Sequence, residues 1–279
     1  MRGFLSVGAL GALAGAVLGA VAALGAGALA DFDRYSTTFR ASGDDMVALG
    51  VGVGPDYLGA DDSVPVPATY FHSSLGGGRF VELVGTMLTT NFLGDERWQL
   101  GPALNFRQGR KSVDDPVVKR LHEVDNAWEV GLSLGWQIQD PNNGRNRLRL
   151  GLDVLQDVSD GHSGLVADFT ALYRQEVMAR LDVGVLAGVT LATGDYMNEV
   201  LGVTAADSAA SGLAVYKPGG GFRDIRLAPL AVLHLTENWQ MGATAGWARL
   251  IGDAADSPIV RDRGNENQFF ASLSLGYKW

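Results

Sequence analysis

Hydrophobic and polar residues alternate with period two along most of the chain, and that rhythm predicts extended strands. Residues 127–137 place Trp128, Val130, Leu132, Leu134 and Trp136 on one face, with Glu129, Gly131, Ser133, Gly135 and Gln137 on the other. Residues 147–154 set Leu148, Leu150, Leu152 and Val154 against Arg147, Arg149, Gly151 and Asp153. Residues 181–191 set Leu181, Val183, Val185, Ala187, Val189 and Leu191 against Asp182, Gly184 and Gly188. Residues 239–247 carry Trp239, Met241, Ala243, Ala245 and Trp247 on their apolar face. The last run does the same with Phe269, Ala271, Leu273, Leu275 and Tyr277, opposite Ser272, Ser274, Gly276 and Lys278. Less regular alternation covers 46–54, 64–73, 79–90, 97–107, 165–175 and 222–234, which makes eleven strand candidates.

A soluble β-sandwich alternates too, so three further features choose the environment. Many runs reach ten to twelve residues, longer than the five or six usual in soluble sheets and close to the 9–11 that a tilted membrane strand needs. The polar face is made of Gly and small polar residues with isolated charges, which suits an enclosed lumen. Trp128 and Trp136 stand eight residues apart on the apolar face, and so do Trp239 and Trp247. Eight residues span about 26 Å along a strand, or roughly 20 Å of height at the tilt of a membrane barrel, close to an apolar band flanked by aromatic girdles. The competing reading makes these indoles core anchors, and the repeated interval favours the girdle, to which Trp279 at the chain end adds.

Short connections (138–146, 176–179, 235–238) alternate with long ones (108–126, 155–164, 192–220, 250–267). The expected fold is therefore all-β: a closed antiparallel transmembrane barrel with short periplasmic turns and longer external loops. Bacterial single-chain barrels have an even strand number, so eleven is a miscount. Twelve is the expected count, with 33–41 as a candidate extra strand; ten follows if a weak candidate before residue 108 is a loop. Tyr277 and Trp279 end the series in a way that resembles the terminal strand of outer-membrane proteins.

Residues 1–30 are a separate object. They carry one charge, Arg2, then an unbroken Ala/Leu/Gly/Val run ending Ala28-Leu29-Ala30 before Asp31. This small-x-small ending, followed at once by polar sequence, reads as a signal peptide; an uncleaved anchor is the alternative, since the run could span a bilayer. Residues 31–279 are then the barrel domain, with 31–45 as an N-terminal segment. The destination is the outer membrane of a Gram-negative bacterium.

Composition narrows the function. Of 279 residues 47% are hydrophobic, too many for a disordered chain. Cys is absent, which excludes disulfide scaffolds and thiolate metal sites. The net charge of −9 disfavours a nucleic-acid partner. The four histidines, His72, His122, His162 and His234, are never three or four residues apart, so local metal-ligand spacing is missing. Asp160-Gly161-His162-Ser163-Gly164 pairs a histidine with a serine, but sequence neighbours on a strand point to opposite faces, and the flanking glycines suggest a loop tip. Asp61/Asp62, Asp114/Asp115 and Asp253/Asp256 lack calcium-loop spacing and read as solvated acidic loops. No catalytic, cofactor or metal residue is assigned. Charges on the polar faces, Arg107, Glu129, Arg147, Arg149, Asp153, Asp168, Arg174, Asp182 and Arg226, with Lys278 at the chain end, are the lumen candidates. Opposite charges confined there can pair and close the lumen or line a narrow polar path. Twelve strands enclose less than the 16–18 of open porins, so a narrow or occluded lumen is expected.

Several blocks resemble one family, the MipA/OmpV family of Gram-negative outer-membrane proteins. Gly52-Val53-Gly54-Pro55-Asp56-Tyr57-Leu58-Gly59-Ala60-Asp61-Asp62 resembles its Pro-Asp-Tyr-x-Gly-Ser-Asp-Asp segment, with Ala60 where Ser is usual. Gly194-Asp195-Tyr196-Met197, Gly202-Val203-Thr204 and Ser211-Gly212-Leu213-Ala214-Val215-Tyr216 resemble a second block. Gly252-Asp253-Ala254-Ala255-Asp256-Ser257-Pro258-Ile259-Val260 resembles its external-loop signature before the last strand. The likeness covers roughly 46–279. It implies a non-enzymatic barrel that contacts outer-membrane lipid and acts as a scaffold for a membrane-bound murein lytic transglycosylase and a bifunctional murein synthase. The alternative it also implies is a narrow porin-like channel for small solutes with a role in osmotic or drug response.

Overall fold

The computed structural model describes residue 39 and residues 44–279; the leader 1–30 and the candidate strand 33–41, apart from Phe39, lie outside the described residues. Twelve antiparallel strands close on themselves, each neighbour in sequence being a neighbour in space and β1 pairing with β12. They are β1 (Met46–Pro55), β2 (Ser63–Gly76), β3 (Arg79–Val84), β4 (Met87–Asn91), β5 (Trp98–Arg107), β6 (Ala127–Asp140), β7 (Asn143–Asp157), β8 (Leu165–Met178), β9 (Leu181–Ala192), β10 (Gly221–His234), β11 (Trp239–Leu250) and β12 (Asn267–Lys278). Among the described residues no helix is long and apolar enough to cross a membrane; a closed barrel crosses with its strands. Closure leaves no sheet edge, which is why an antiparallel sheet can sit in lipid with its backbone satisfied.

The expected number of twelve holds, but within the described residues the twelfth strand comes from 79–90 rather than 33–41. That run is two short strands joined at Gly85-Thr86, with Val84 facing Met87 across the turn. Gly85 sits at φ +57°, which the tight reversal requires. It is also the one outer connection that is short: the hairpin tip is buried, and Gly85 N–H donates to Thr69 O at 2.9 Å.

Which face meets lipid follows from exposure. Leu49, Val51, Val53, Leu132, Leu134, Val185, Leu273 and Leu275 point outward, as do Trp128, Trp239 and Trp279, while Trp136 and Trp247 are half-covered. The aromatics group into two rings. At the outer end Phe106 packs on Trp128 with centroids 5.0 Å apart, and Trp247 pairs with Phe269. At the inner end Trp239 packs on Tyr277 at 5.0 Å and Trp136 pairs with Trp98. Trp98 lies on β5, where the alternation is less regular, and the sequence pattern did not mark it as a girdle residue.

Candidate functional site

The lumen is filled in layers, and the outermost is a cap built by the external loops. The β9–β10 loop folds into α1 (Gly194–Leu201) and α2 (Ala205–Ser211), and the β11–β12 loop into α3 (Asp253–Asp256) and α4 (Pro258–Arg261). α2 has a capping box, Thr204 and Asp207 exchanging bonds, and ends at Gly212 with φ +84°. The blocks read from the sequence meet here, about 200 residues apart in the chain. Tyr57 and Ala60 share one apolar cluster with Val113, Val203, Leu213 and Ile259. Leu58 shares a second with Met197, Leu201, Ala254 and Val260. Asn265 N–H donates to Gly59 O at 2.9 Å and Gly59 N–H to Gln268 Oε1 at 3.1 Å. Ser257, fully buried, donates through Oγ to Leu201 O at 2.7 Å. Pro55, Asp56 and Pro258 are buried in the cap, while Asp61, Asp62, Gly252, Asp253 and Asp256 face solvent. Asp253 still acts structurally, accepting from Gly219 N–H at 2.6 Å.

His122 ties the β5–β6 loop to both helices, its Nδ1 lying 2.8 Å from Asp207 Oδ2 and its Nε2 3.0 Å from Glu199 O. Burial pushes the Asp207 carboxyl up, but hydrogen bonds from Thr204 and His122 outweigh it and hold the group well below the usual carboxylate range.

Beneath the cap lies a charged layer. Glu129, fully buried, accepts from Arg107 Nε at 2.8 Å and from Asn105 Nδ2 at 2.6 Å, and its Oε1 meets His162 Nε2 at 2.9 Å. A bulge between Phe222 and Asp224 turns both Arg223 and Asp224 inward. Arg223 donates to Asp224 at 2.7 Å and to Tyr196 OH at 2.7 Å, so the barrel wall grips α1. Arg226 bonds Asp224 at 2.8 Å, Thr190 at 2.6 Å, and Asp168. Asp153 is buried on the inner face of β7. Both ring nitrogens of His162 are occupied, since Gly164 N–H donates to its Nδ1 at 3.1 Å. Among the described residues no hydrogen bond joins Ser163 Oγ to it, so the neighbouring pair is not arranged as a nucleophile and base.

At mid-height the β8–β12 side of the lumen is apolar, while the neighbouring β6–β7 side carries buried Ser133 and Arg149. Leu172, Leu186, Ala228, Leu230, Ala248 and Phe270 form one buried cluster inside the barrel. Gly246 gives Phe270 its room: a Cβ there would lie 1.9 Å from the ring. A second inner cluster gathers Phe39, Met46, Ala48, Tyr70, Val84 and Val232, placing Phe39 within the lumen against Tyr70 at 6.1 Å. The uniformly polar inner face expected from alternation is interrupted at Leu172, Leu186, Leu230 and Phe270.

The inner end opens into a polar vestibule. Two cavities of about 700 and 730 Å³ share Gln137, Gln139 and Arg147. Asp182, fully buried, binds Arg174 Nε at 2.9 Å and lies 3.0 Å from His234 Nε2, with Arg145 on its other oxygen. Arg145 also pairs with Glu176 at 2.9 Å. Arg147 donates through Nε to Gly144 O at 3.0 Å, and Arg149 to Gln99 Oε1 at 3.1 Å. A cavity of about 650 Å³ in the cap, lined by His122, His162, Glu199 and Tyr216 among others, shares no lining residue with the vestibule. Among the described residues no group of three or more His, Asp or Glu is arranged to hold a metal ion.

A closed, girdled, twelve-stranded barrel with folded outer loops and a filled lumen defines an outer-membrane β-barrel protein. The chain belongs to the family described as MltA-interacting protein MipA, whose model matches residues 47–279. No curated protein matches the sequence. Among solved structures it is similar to the NanC porin, at 8% identity and a TM-score of 0.48 over 84% of this chain and 100% of that one. It is also similar to an outer membrane channel from Pseudomonas putida F1, at 9% and 0.45 over 85% and 96%. The translocator domain of the autotransporter NalP from Neisseria meningitidis matches at 12% and 0.38 over 98% of both chains.

Proposed function

We propose that the protein is a non-enzymatic scaffold of the Gram-negative outer membrane, reaching it after cleavage of residues 1–30, and that it works from its periplasmic end. Its partners are murein machinery: a membrane-bound lytic transglycosylase, as the family's description implies, and a bifunctional murein synthase. The observation that carries the reading is the asymmetry of the lumen. The outer mouth is covered by a packed cap and an apolar cluster of Leu172, Leu186, Leu230 and Phe270 projects into the middle, whereas the inner end holds a polar vestibule. A diffusion pore needs a continuous wet path, and this lumen interposes an apolar cluster where hydrated ions are costly. The periplasmic turns are too short to form a docking surface of standard size, so the vestibule and its rim are the recognition surface.

The test is co-purification of the mature barrel in mild detergent with the soluble periplasmic domains of the two enzymes. A stable complex with the transglycosylase supports the reading. Absence of both enzymes, together with steady ion conductance in planar bilayers, replaces it with the channel.

A further inference from the structure

The inner vestibule gathers cationic side chains that the scaffold reading does not use. Arg147 on β7 stands directly opposite Arg174 on β8, both facing inward. Like charges directly opposite one another across strands repel. Asp182 is shared among Arg174, Arg145 and His234. Arg174 is only 3% exposed, lines the larger cavity, and its Nη1 has no hydrogen-bond partner. A buried guanidinium N–H without an acceptor is costly, and an incoming oxyanion would supply one. The surrounding wall is rich in amides, with Gln137, Gln139, Asn142 and Asn143 beside Arg145 and Arg147, and it also carries Lys278 and the carboxylates Asp44 and Glu237. Amides both donate to and accept from sugar hydroxyls and acetamido groups, while a planar guanidinium pair matches a carboxylate.

We propose that Arg147 and Arg174, with the amides around them, form a site for a carboxylate-bearing saccharide entering from the periplasm. The site rests on the periplasm-facing reading and gives it a substrate-like ligand: a glycan carrying a lactyl or peptide carboxylate, of the kind that murein enzymes release. A simple hexuronate offers the same carboxylate and hydroxyls without the acetamido and peptide groups. The cavity of about 730 Å³ accommodates either.

The experiment is isothermal titration of the full mature barrel in detergent with three probes: N-acetylmuramyl-L-alanyl-D-isoglutamine, galacturonate, and neutral N-acetylglucosamine. The two carboxylated probes bind and the neutral sugar does not. Tighter binding of the muramyl probe assigns the site to murein fragments; equal binding assigns it to sugar acids in general. Arg147→Gln weakens binding about tenfold, the expected loss of a charge-assisted bond, and Arg147→Lys, which keeps the charge but loses the fork, falls between. Arg174 is left intact because it also holds buried Asp182, so its loss would perturb the fold as well as the site. Heat-dependent gel migration verifies that each variant is folded. Silence with both carboxylated probes, equal binding of the neutral sugar, or an unaltered Arg147→Gln overturns the site. Retained co-purification of the transglycosylase by Arg147→Gln shows that loss of this subsite leaves the docking reading intact.

Discussion

At the scale of single residues, two prolines show how closely the sequence is fitted to its place in the wall. The β1–β2 ladder runs on to Pro55↔Ser63, but the β2–β3 ladder stops at Tyr70↔Val84. Thr69 O accepts from Gly85, so odd-numbered positions of β2 direct their backbone groups to the β3 side. Pro65 and Pro67 are odd-numbered and lie beyond the ladder's end, where an N–H would have no strand partner. Replacing both by Ala is expected to destabilise the barrel by about 1–3 kcal/mol for the orphaned donors, measured by urea unfolding in lipid vesicles. Buried charge gives a larger effect. Glu129 collects Arg107, Asn105 and His162 inside the barrel. Glu129→Ala leaves the Arg107 guanidinium buried without its anion and is expected to cost about 3–5 kcal/mol, whereas the double change Glu129→Leu with Arg107→Met is expected to lie close to wild type. Equal losses in the single and double variants would show that the ion pair does not govern stability.

At the scale of elements, strands were legible wherever alternation was long and clean, as in β6, β7, β9, β11 and β12. The 79–90 run was not: Val84, Met87 and Leu88 keep the run apolar through the reversal, so its only mark is Gly85, one of 38 glycines. The cap was legible only as motif blocks, because contacts between residues 57 and 259 depend on loop folding and not on periodicity. Those contacts can be tested. Gly59 sits at φ +93° and a Cβ there would lie 2.5 Å from Val260 Cγ2. Gly59→Ala is therefore expected to loosen the cap, speeding proteolysis within 193–220 several-fold while the barrel still migrates as folded. Acid should do the same through Asp207. Its carboxyl is held below the unfolded value of about 4, so its stabilisation is complete above that pH and is lost as the pH falls through the lower folded value. Pepsin cleavage of the cap is expected to rise steeply toward pH 2, and Asp207→Asn to be cut readily at every pH where pepsin acts.

For the whole molecule, the sequence made the lipid face far more legible than the lumen. Outward positions obey one rule, apolar contact with acyl chains, and so repeat. Inward positions answer to whatever fills the barrel, which depends on partners from several strands, five of them in the cluster around Phe270. Leu172, Leu186, Leu230 and Phe270 break the polar face where they pack against one another inside the barrel, and each appears in isolation as a local irregularity. If the apolar cluster on β8–β12 closes the lumen independently of the cap, as the scaffold reading requires, removing residues 251–266 alone leaves planar bilayers silent. Truncating the cluster instead, with Phe270→Ala and Leu230→Ala, opens a void beside Gly246 that water can enter only if the flanking ion pairs supply polar partners. Arg226 and Asp168 lie outward of the cluster and Arg174 and Asp182 inward of it, so the path becomes continuous once both barriers are gone. The deletion of 251–266 combined with Phe270→Ala and Leu230→Ala is expected to conduct in discrete steps. Conductance from the wild-type barrel, or from the loop deletion by itself, would show that the apolar cluster does not seal the lumen and that the protein is a channel gated by its cap.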